Sequence, residues 1–492
     1  MTTSPSTQTR PGALTSPSSD GRGGPVIALL VVAAFVVILN ETIMGVALPH
    51  LMRDLAITAS TAQWLTTSYL LTMAVVIPVS GFLLQRLTIR TLFFGAMALF
   101  SIGTLVAALS PGFEVLLFGR IIQASGTAVM MPLLMTTVLN VVPAEHRGRT
   151  MGVVSIVISV APAIGPTASG AILSILDWRW LFWTVLPISV ATILVGLVFV
   201  RNVTETRRVP VDVLSIVLSA LAFGGIVFGL SSIGEAAGGH APIPVWIPLV
   251  LGAVSLAAFI LRQTRLQRTD RALLDLRTFG NAPFRVAVLL LVVVMATLFG
   301  ALILLPIYLQ NVLAIDTLTT GLILLPGGVL MGVLAPFVGS LFDRLGARRL
   351  VIPASVGLAA VLWWMTSLDA GSPIGLVVAM HVALSLSLAF MFTPLFTSAL
   401  GSLPTSLYSH GSAIMGTVQQ VAGAIGTALF ITAMSVSTAA SAAAGAGSVT
   451  AQADGFHTAL VLGAGVATLG IVVSLFVPAR TDGVRSGVVA HH

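Results

Sequence analysis

The sequence predicts an all-α polytopic membrane protein of fourteen transmembrane helices, built as two six-helix bundles plus two inserted helices. Three observations lead there. Hydrophobic residues make up 57% of the 492 positions and charged residues only 8%. Apolar windows long enough to cross a bilayer recur fourteen times, and one short loop pattern occurs twice at a fixed offset. Soluble chains carry about 25% charged residues, so a surface this poor in charge, with a mean hydropathy of +1.05, has to face lipid.

Taken in order, residues 1–24 are rich in Ser, Thr, Pro and Gly and read as a disordered tail. The run from Pro25 to Leu48 is too long for a signal-peptide core and long enough to span, so it is expected to stay in the membrane as the first helix. Spans are expected at roughly 25–49, 62–84, 91–109, 114–139, 150–173 and 180–200, which form the first bundle within 25–200. Two more at roughly 211–231 and 244–261 belong to an inserted segment, 201–283, that ends in an arginine-rich linker. The last six, at roughly 284–309, 319–341, 349–368, 373–397, 411–436 and 458–477, form the second bundle, followed by a tail over 478–492.

All 23 basic residues are arginines, so orientation can be read residue by residue. An even number of spans puts both termini on one side. On that side fall Arg10, Arg22, Arg86, Arg90, Arg147, Arg149, Arg201, Arg207 and Arg208, six arginines between 262 and 285, then Arg344, Arg348, Arg349, Arg480 and Arg485. Only Arg53 and Arg179 fall on the other side, and Arg120 lies within a span. The bias places both termini in the cytoplasm and makes the protein a multi-pass protein of the cell inner membrane. It also explains the net charge of +7 without nucleic acid as a partner. The 398–410 connection, expected on the cytoplasmic side, carries no arginine.

Glu41 sits inside the first apolar run. A carboxylate at membrane depth has to be paired, protonated or facing water. Counted from an outer exit near Pro49, it lies ~12 Å deep; Arg120, counted from Phe113, lies ~10 Å deep, and His381, counted from Pro373, ~12 Å. Three ionisable groups are thus expected in one layer. Arginine does not deprotonate, so Arg120 is a fixed positive charge in need of acceptors, or else snorkels to the interface. Loss of solvation favours a protonated Glu41 and a nearby guanidinium favours the anion. Glu41 is therefore either a group that gains and loses a proton or a structural carboxylate held permanently on arginine. His381 is either a proton relay or a helix histidine bonded to a backbone carbonyl.

The repeated loop reads Gly81, Gln85, Arg86, Thr88, Arg90 after span 2 and Gly339, Asp343, Arg344, Gly346, Arg348 after span 10. From 81 to 339, 86 to 344 and 90 to 348 the spacing is 258 residues each time. Parallel repeats of this kind build many secondary transporters. Span 4 carries Arg120, Gln123 and Gly126, and span 5 carries Pro162, Gly165, Pro166 and Gly170. Two prolines remove helix hydrogen bonds and the glycines allow close packing, so span 5 is expected to bend as a hinge. The segment Leu325-Pro326-Gly327-Gly328 is its expected counterpart in span 10.

On these motifs, from about Val26 to Val477, the chain resembles the fourteen-span drug:proton antiporters of the major facilitator superfamily, in particular the lincomycin-resistance-type exporters. The resemblance implies gating roles for the two loops and a link between Arg120 and proton coupling. Gln85 stands where an acid is usual and Thr88 where glycine is usual. Asn40 stands where related exporters carry aspartate, with the acid displaced one place to Glu41, about 100° around the helix. Spans 1, 4, 9 and 12 are implied to line the substrate cavity. Asn40, Met44, Gln123, Met130, Met131, Phe299, Phe390 and Met391 are candidates there, since flexible thioethers and aromatic rings suit varied amphipathic solutes.

No phosphate-binding glycine loop and no lysine are present, which removes ATP as a direct energy source. The chain has no cysteine and no metal-ligand motif, and no enzyme activity, metal or other cofactor is expected. The expected activity is proton-coupled export of drugs or other amphipathic small molecules by alternating access, with protons, the small-molecule substrate and the lipid bilayer as partners and a monomer as the working unit. Export of an endogenous metabolite or lipid is the alternative.

Overall fold

The computed structural model describes residues 23–57, 59–143, 146–202, 212–237 and 243–478. The expected tails, with Arg10, Arg22, Arg480 and Arg485, lie outside the described residues, as do Arg207 and Arg208. Fourteen helices among the described residues are long and apolar enough to cross a membrane. They are α1 (Gly23–Asp54), α2 (Ala59–Arg86), α3 (Ile89–Ala108), α4 (Phe113–Val141), α5 (Arg147–Leu173), α6 (Trp180–Phe199), α7 (Val213–Ala237) and α8 (Trp246–Leu266). After a linker come α9 (Ala282–Ile307), α10 (Thr317–Leu345), α11 (Ala347–Met365), α12 (Ile374–Gly401), α13 (Tyr408–Ala443) and α14 (Ser448–Ser474).

Local chemistry sets several boundaries. The Thr88 hydroxyl accepts the Thr91 N–H at 3.2 Å and starts α3, and Asp316 accepts the Thr319 N–H at 3.0 Å and starts α10. Gly346, at φ +79°, makes the turn between α10 and α11, a left-handed conformation that glycine adopts without steric cost. The helices run past the expected spans where polar residues continue a helix beyond the lipid. Thus α1 passes through Pro49 to Asp54, α13 reaches Ala443, and α14 begins at Ser448 rather than near 458.

Alternation of direction gives the bundle two ends: a tail end, where α1 begins, and a far end, where α1 finishes. Within α1–α6 the main contacts are α1 with α5, α2 with α4, and α3 with α4 and α6. Within α9–α14 they are α13 with α9 and α14, and α12 with α10 and α11. The most extensive contact of all joins the two groups, α5 against α10. Both helices are continuous. Glycines permit the approach: a Cβ on Gly152 would sit 2.8 Å from Pro336 Cα, and one on Gly148 2.6 Å from Gly339 O. Toward the far end, Gly321 faces Thr167 and Gly170 faces Leu318.

The other seam is α2 against α13, and α7 packs on both of these helices. The linker after α8 folds back beneath them. Gln263 Oε1 accepts the N–H groups of Leu273 and Leu274 at 2.7 and 3.3 Å, while its Nε2 donates to Ser215 at 2.7 Å. Arg262 clasps Asp212 through two bonds of 2.9 Å. The Asp212 carboxyl is held below its usual range, first by Arg262 and then by Ser215.

Candidate functional site

Arg120 organises the interior of α1–α6. It projects from α4 and is wholly buried, so it must find acceptors inside the protein. Its Nη1 donates to Asn40 Oδ1 on α1 at 3.1 Å and to Gln123 Oε1, one turn along α4, at 2.7 Å. The Gln123 amide is oriented by its other end, which donates to Thr104 on α3 at 2.7 Å. The Arg120 guanidinium lies over the Tyr69 ring of α2, 4.0 Å from its centroid, an arrangement that favours a desolvated cation. Tyr69 in turn bonds Thr127 at 2.7 Å. Four helices thus converge on one cation through neutral partners. Arg120 Nε and Nη2 remain buried with no hydrogen-bond partner among the described residues.

Glu41, next to Asn40 on α1, is half-buried. It interacts electrostatically with Arg120, yet no ion pair or hydrogen bond of its carboxylate is found among the described residues. One residue further on, Thr42 packs on α5: a Cβ on Gly165 would run into its hydroxyl. The titratable acid therefore sits where α1 touches the helix that forms the α5–α10 seam.

His381 does not join this cluster. Its Nε2 lies 3.0 Å from Leu324 O on α10, and it packs on Gly327, while its Nδ1 is buried without a partner among the described residues. Of the two readings from sequence, this geometry is that of the carbonyl-bonded histidine. Among the cavity candidates, Asn40, Met44, Gln123, Met130 and Met391 are buried. Phe299, against Gly423, Phe390 and Met131 are half-buried. Pro162 and Gly165 lie within unbroken α5 with Gly170; the Pro166 side chain lies outside the described set.

At the tail end, the two helix groups are tied by polar contacts. Asp343 accepts the backbone N–H groups of Gly148 and Arg149 at 3.0 and 3.1 Å, placing a carboxylate on the start of α5. Arg147 donates to the Tyr408 hydroxyl at 3.0 Å, Thr136 to Ser412 at 3.3 Å, and Thr393 to Ser155 at 2.7 Å. His410 Nδ1 accepts the Asp275 N–H at 3.3 Å, and its Nε2 lies 3.0 Å from the side-chain amide nitrogen of Gln85. Gly81 and Gly339 are close-approach positions of the two loops. Arg86, Arg90, Arg344 and Arg348 are exposed around them, with Arg86 over Phe82 and Arg90 over Phe94. Polar contacts between α1–α6 and α9–α14 run from the tail end to mid-depth, where Gln420 meets Met73 at 4.0 Å.

The Major Facilitator Superfamily model matches residues 30–427. The chain belongs to that superfamily. It is 41% identical over 458 residues to the lincomycin resistance protein LmrB of Listeria monocytogenes, covering 92% of this chain and 96% of the relative. It is 40% identical over 410 residues to LmrB of Bacillus subtilis, covering 83% and 85%. The fold is similar to that of the human organic anion transporter MFSD10, with a TM-score of 0.64 at 13% identity, covering 92% of this chain and 99% of that one. This superfamily member is therefore a multi-pass membrane transporter and not an enzyme.

Several parts of this superfamily chain's site escaped the sequence. Thr104 is an ordinary polar residue of a membrane helix until it is seen to hold the Gln123 amide that accepts from Arg120. Tyr408 and His410 lie at the connection that lacks arginine, and their role appears only once Arg147 and Gln85 arrive from the other helix group. Tyr308 is buried against Phe456 at 4.4 Å and donates to Asp369 O at 2.6 Å.

Proposed function

We propose that this transporter is a proton-coupled antiporter that exports drugs or other amphipathic small molecules across the cytoplasmic membrane by alternating access. The tail end is assigned to the cytoplasm on the strength of the arginine bias, with both termini inside. The working unit is a monomer whose α1–α6 and α9–α14 groups rock as two halves, α5 serving as the hinge element. The conformation described is then the one closed to the cytoplasm.

The observation that carries the reading is a half-buried acid, Glu41, with no ion pair among the described residues, beside a buried arginine whose Nε and Nη2 lack partners among them. A carboxylate permanently locked on arginine has no proton to exchange, whereas this one is left free to load from the outer side. Open to the outside, Glu41 takes up a proton and substrate leaves. Open to the cytoplasm, it gives up the proton and substrate binds. Coupling needs each ligand to prefer one protonation state. Similarity to the lincomycin resistance proteins supports a drug as cargo. Proteoliposomes with an imposed pH gradient, assayed with lincomycin and with ethidium, test the reading. Gradient-dependent accumulation of either is expected, and accumulation insensitive to collapse of the gradient refutes proton coupling.

A further inference from the structure

We infer that Asn40 is a positioning residue: it holds Arg120 as a neutral acceptor, so that the cation stays uncompensated and available to Glu41. The inference rests on the reading of Glu41 as the proton carrier. Arg120 Nη1 is shared between two amide oxygens, Asn40 Oδ1 at 3.1 Å and Gln123 Oε1 at 2.7 Å. Both hydrogens of that nitrogen are used, by groups without charge. The other edge of the guanidinium, Nε and Nη2, is buried and unfilled. The site therefore satisfies two of the arginine's five N–H donors while leaving its full charge in place.

An aspartate at position 40 would have nearly the same shape and reach the same nitrogen. It would form a charged pair there, and a buried pair presents to its surroundings a dipole rather than a net charge. Glu41, one residue away, would then lose the field of Arg120. The displaced acid and the neutral residue before it are thus one device: the acceptor that anchors the guanidinium is kept distinct from the acid that titrates. The titratable and charged groups facing Arg120 are Glu41 from α1 and Tyr69 from α2. The α3 contribution, Thr104, is neutral and acts through Gln123.

The test needs no substrate. Infrared difference spectra of the full chain in lipid nanodiscs are recorded across pH, and the carboxyl C=O band is assigned to Glu41 by its loss in Glu41→Gln. Asn40→Asp is expected to displace the midpoint of that band by about one pH unit or more, the size of effect that a nearby opposite charge has on an acid. Asn40→Ala, which removes the contact but adds no charge, is expected to displace it by less than half as much, since Gln123 still holds Nη1. A purely structural role predicts the opposite order, because alanine is the larger change of shape. An unmoved midpoint in Asn40→Asp, or a larger shift in Asn40→Ala, overturns the proposal while leaving Glu41 as the carrier. Absence of any band lost in Glu41→Gln overturns the underlying reading instead.

Discussion

Asp343→Asn should loosen the tail-end closure by an amount that can be worked from its contacts. Both carboxylate oxygens are in use, on the N–H groups of Gly148 at 3.0 Å and Arg149 at 3.1 Å. These donors belong to the first turn of α5 and have no partner within their own helix. Asparagine supplies one oxygen, so one N–H would face an amide NH₂. Hydrogen bonds to charged groups contribute about 1.5–3 kcal/mol against about 0.5–1.5 for neutral ones, and the helix-terminus charge adds about 0.3–1 kcal/mol. Asp343 is exposed, so solvent screens part of this. A net loss of about 1.5 kcal/mol remains, roughly tenfold in the closed-to-open ratio. The chain has no cysteine, so a single Ser412→Cys, at a site buried beside Thr136, reports on the closure through its rate of maleimide labelling. That rate should rise about tenfold when Asp343→Asn is added. Equal rates in the two backgrounds would refute the assignment of Asp343 to the tail-end gate.

Three further outcomes follow from packing and charge. Gly152→Val would force a side chain against the Pro336 backbone, whose Cα lies 2.8 Å from the Cβ position; thermal unfolding should register a loss of about 1–3 kcal/mol, and an unchanged Tm would mean the α5–α10 seam yields. Gln263→Leu strands two buried N–H groups, Leu273 and Leu274, at about 1–3 kcal/mol each, so hydrogen exchange over 266–281 should quicken before the helices unfold. Asp212→Asn removes an ion pair whose side chains are 16% and 35% exposed, costing about 0.5–1 kcal/mol. Because the Asp212 carboxyl is held below its usual range, the difference in Tm between wild type and variant should be full above about pH 4 and fade as acid protonates the folded wild type.

Much of the architecture could be read from the residues because lipid imposes a simple rule: long apolar runs between charge signals become helices. Thirteen of the expected spans begin within a few residues of the observed helices, and the exception is instructive. Helix α14 starts ten residues early, at Ser448, since the polar run through Gln452 and Asp454 pairs with α13 through Ser437 and Ser441, a contact that hydropathy does not register. The depth estimate puts Glu41 and Arg120 in one layer, and in the structure Asn40, the residue before Glu41, bonds Arg120 at 3.1 Å. Depth alone also grouped His381 with them, but its azimuth turns it to Leu324. Asn40 and Gln123 are cavity candidates through their place on spans 1 and 4; in this conformation both accept from Arg120. The tail-end contact between Gln85 and His410 joins residues 325 positions apart, and no local pattern reports such a pairing.

Proton coupling through Glu41 is tested most directly by counting protons. In proteoliposomes with a pH-sensitive dye trapped inside, addition of lincomycin or ethidium to the wild-type protein should move protons opposite to the cargo. Glu41→Gln should abolish this proton movement and gradient-driven accumulation together, while cargo-for-cargo exchange without a gradient persists. Undiminished proton movement in Glu41→Gln would contradict the central role given to this acid.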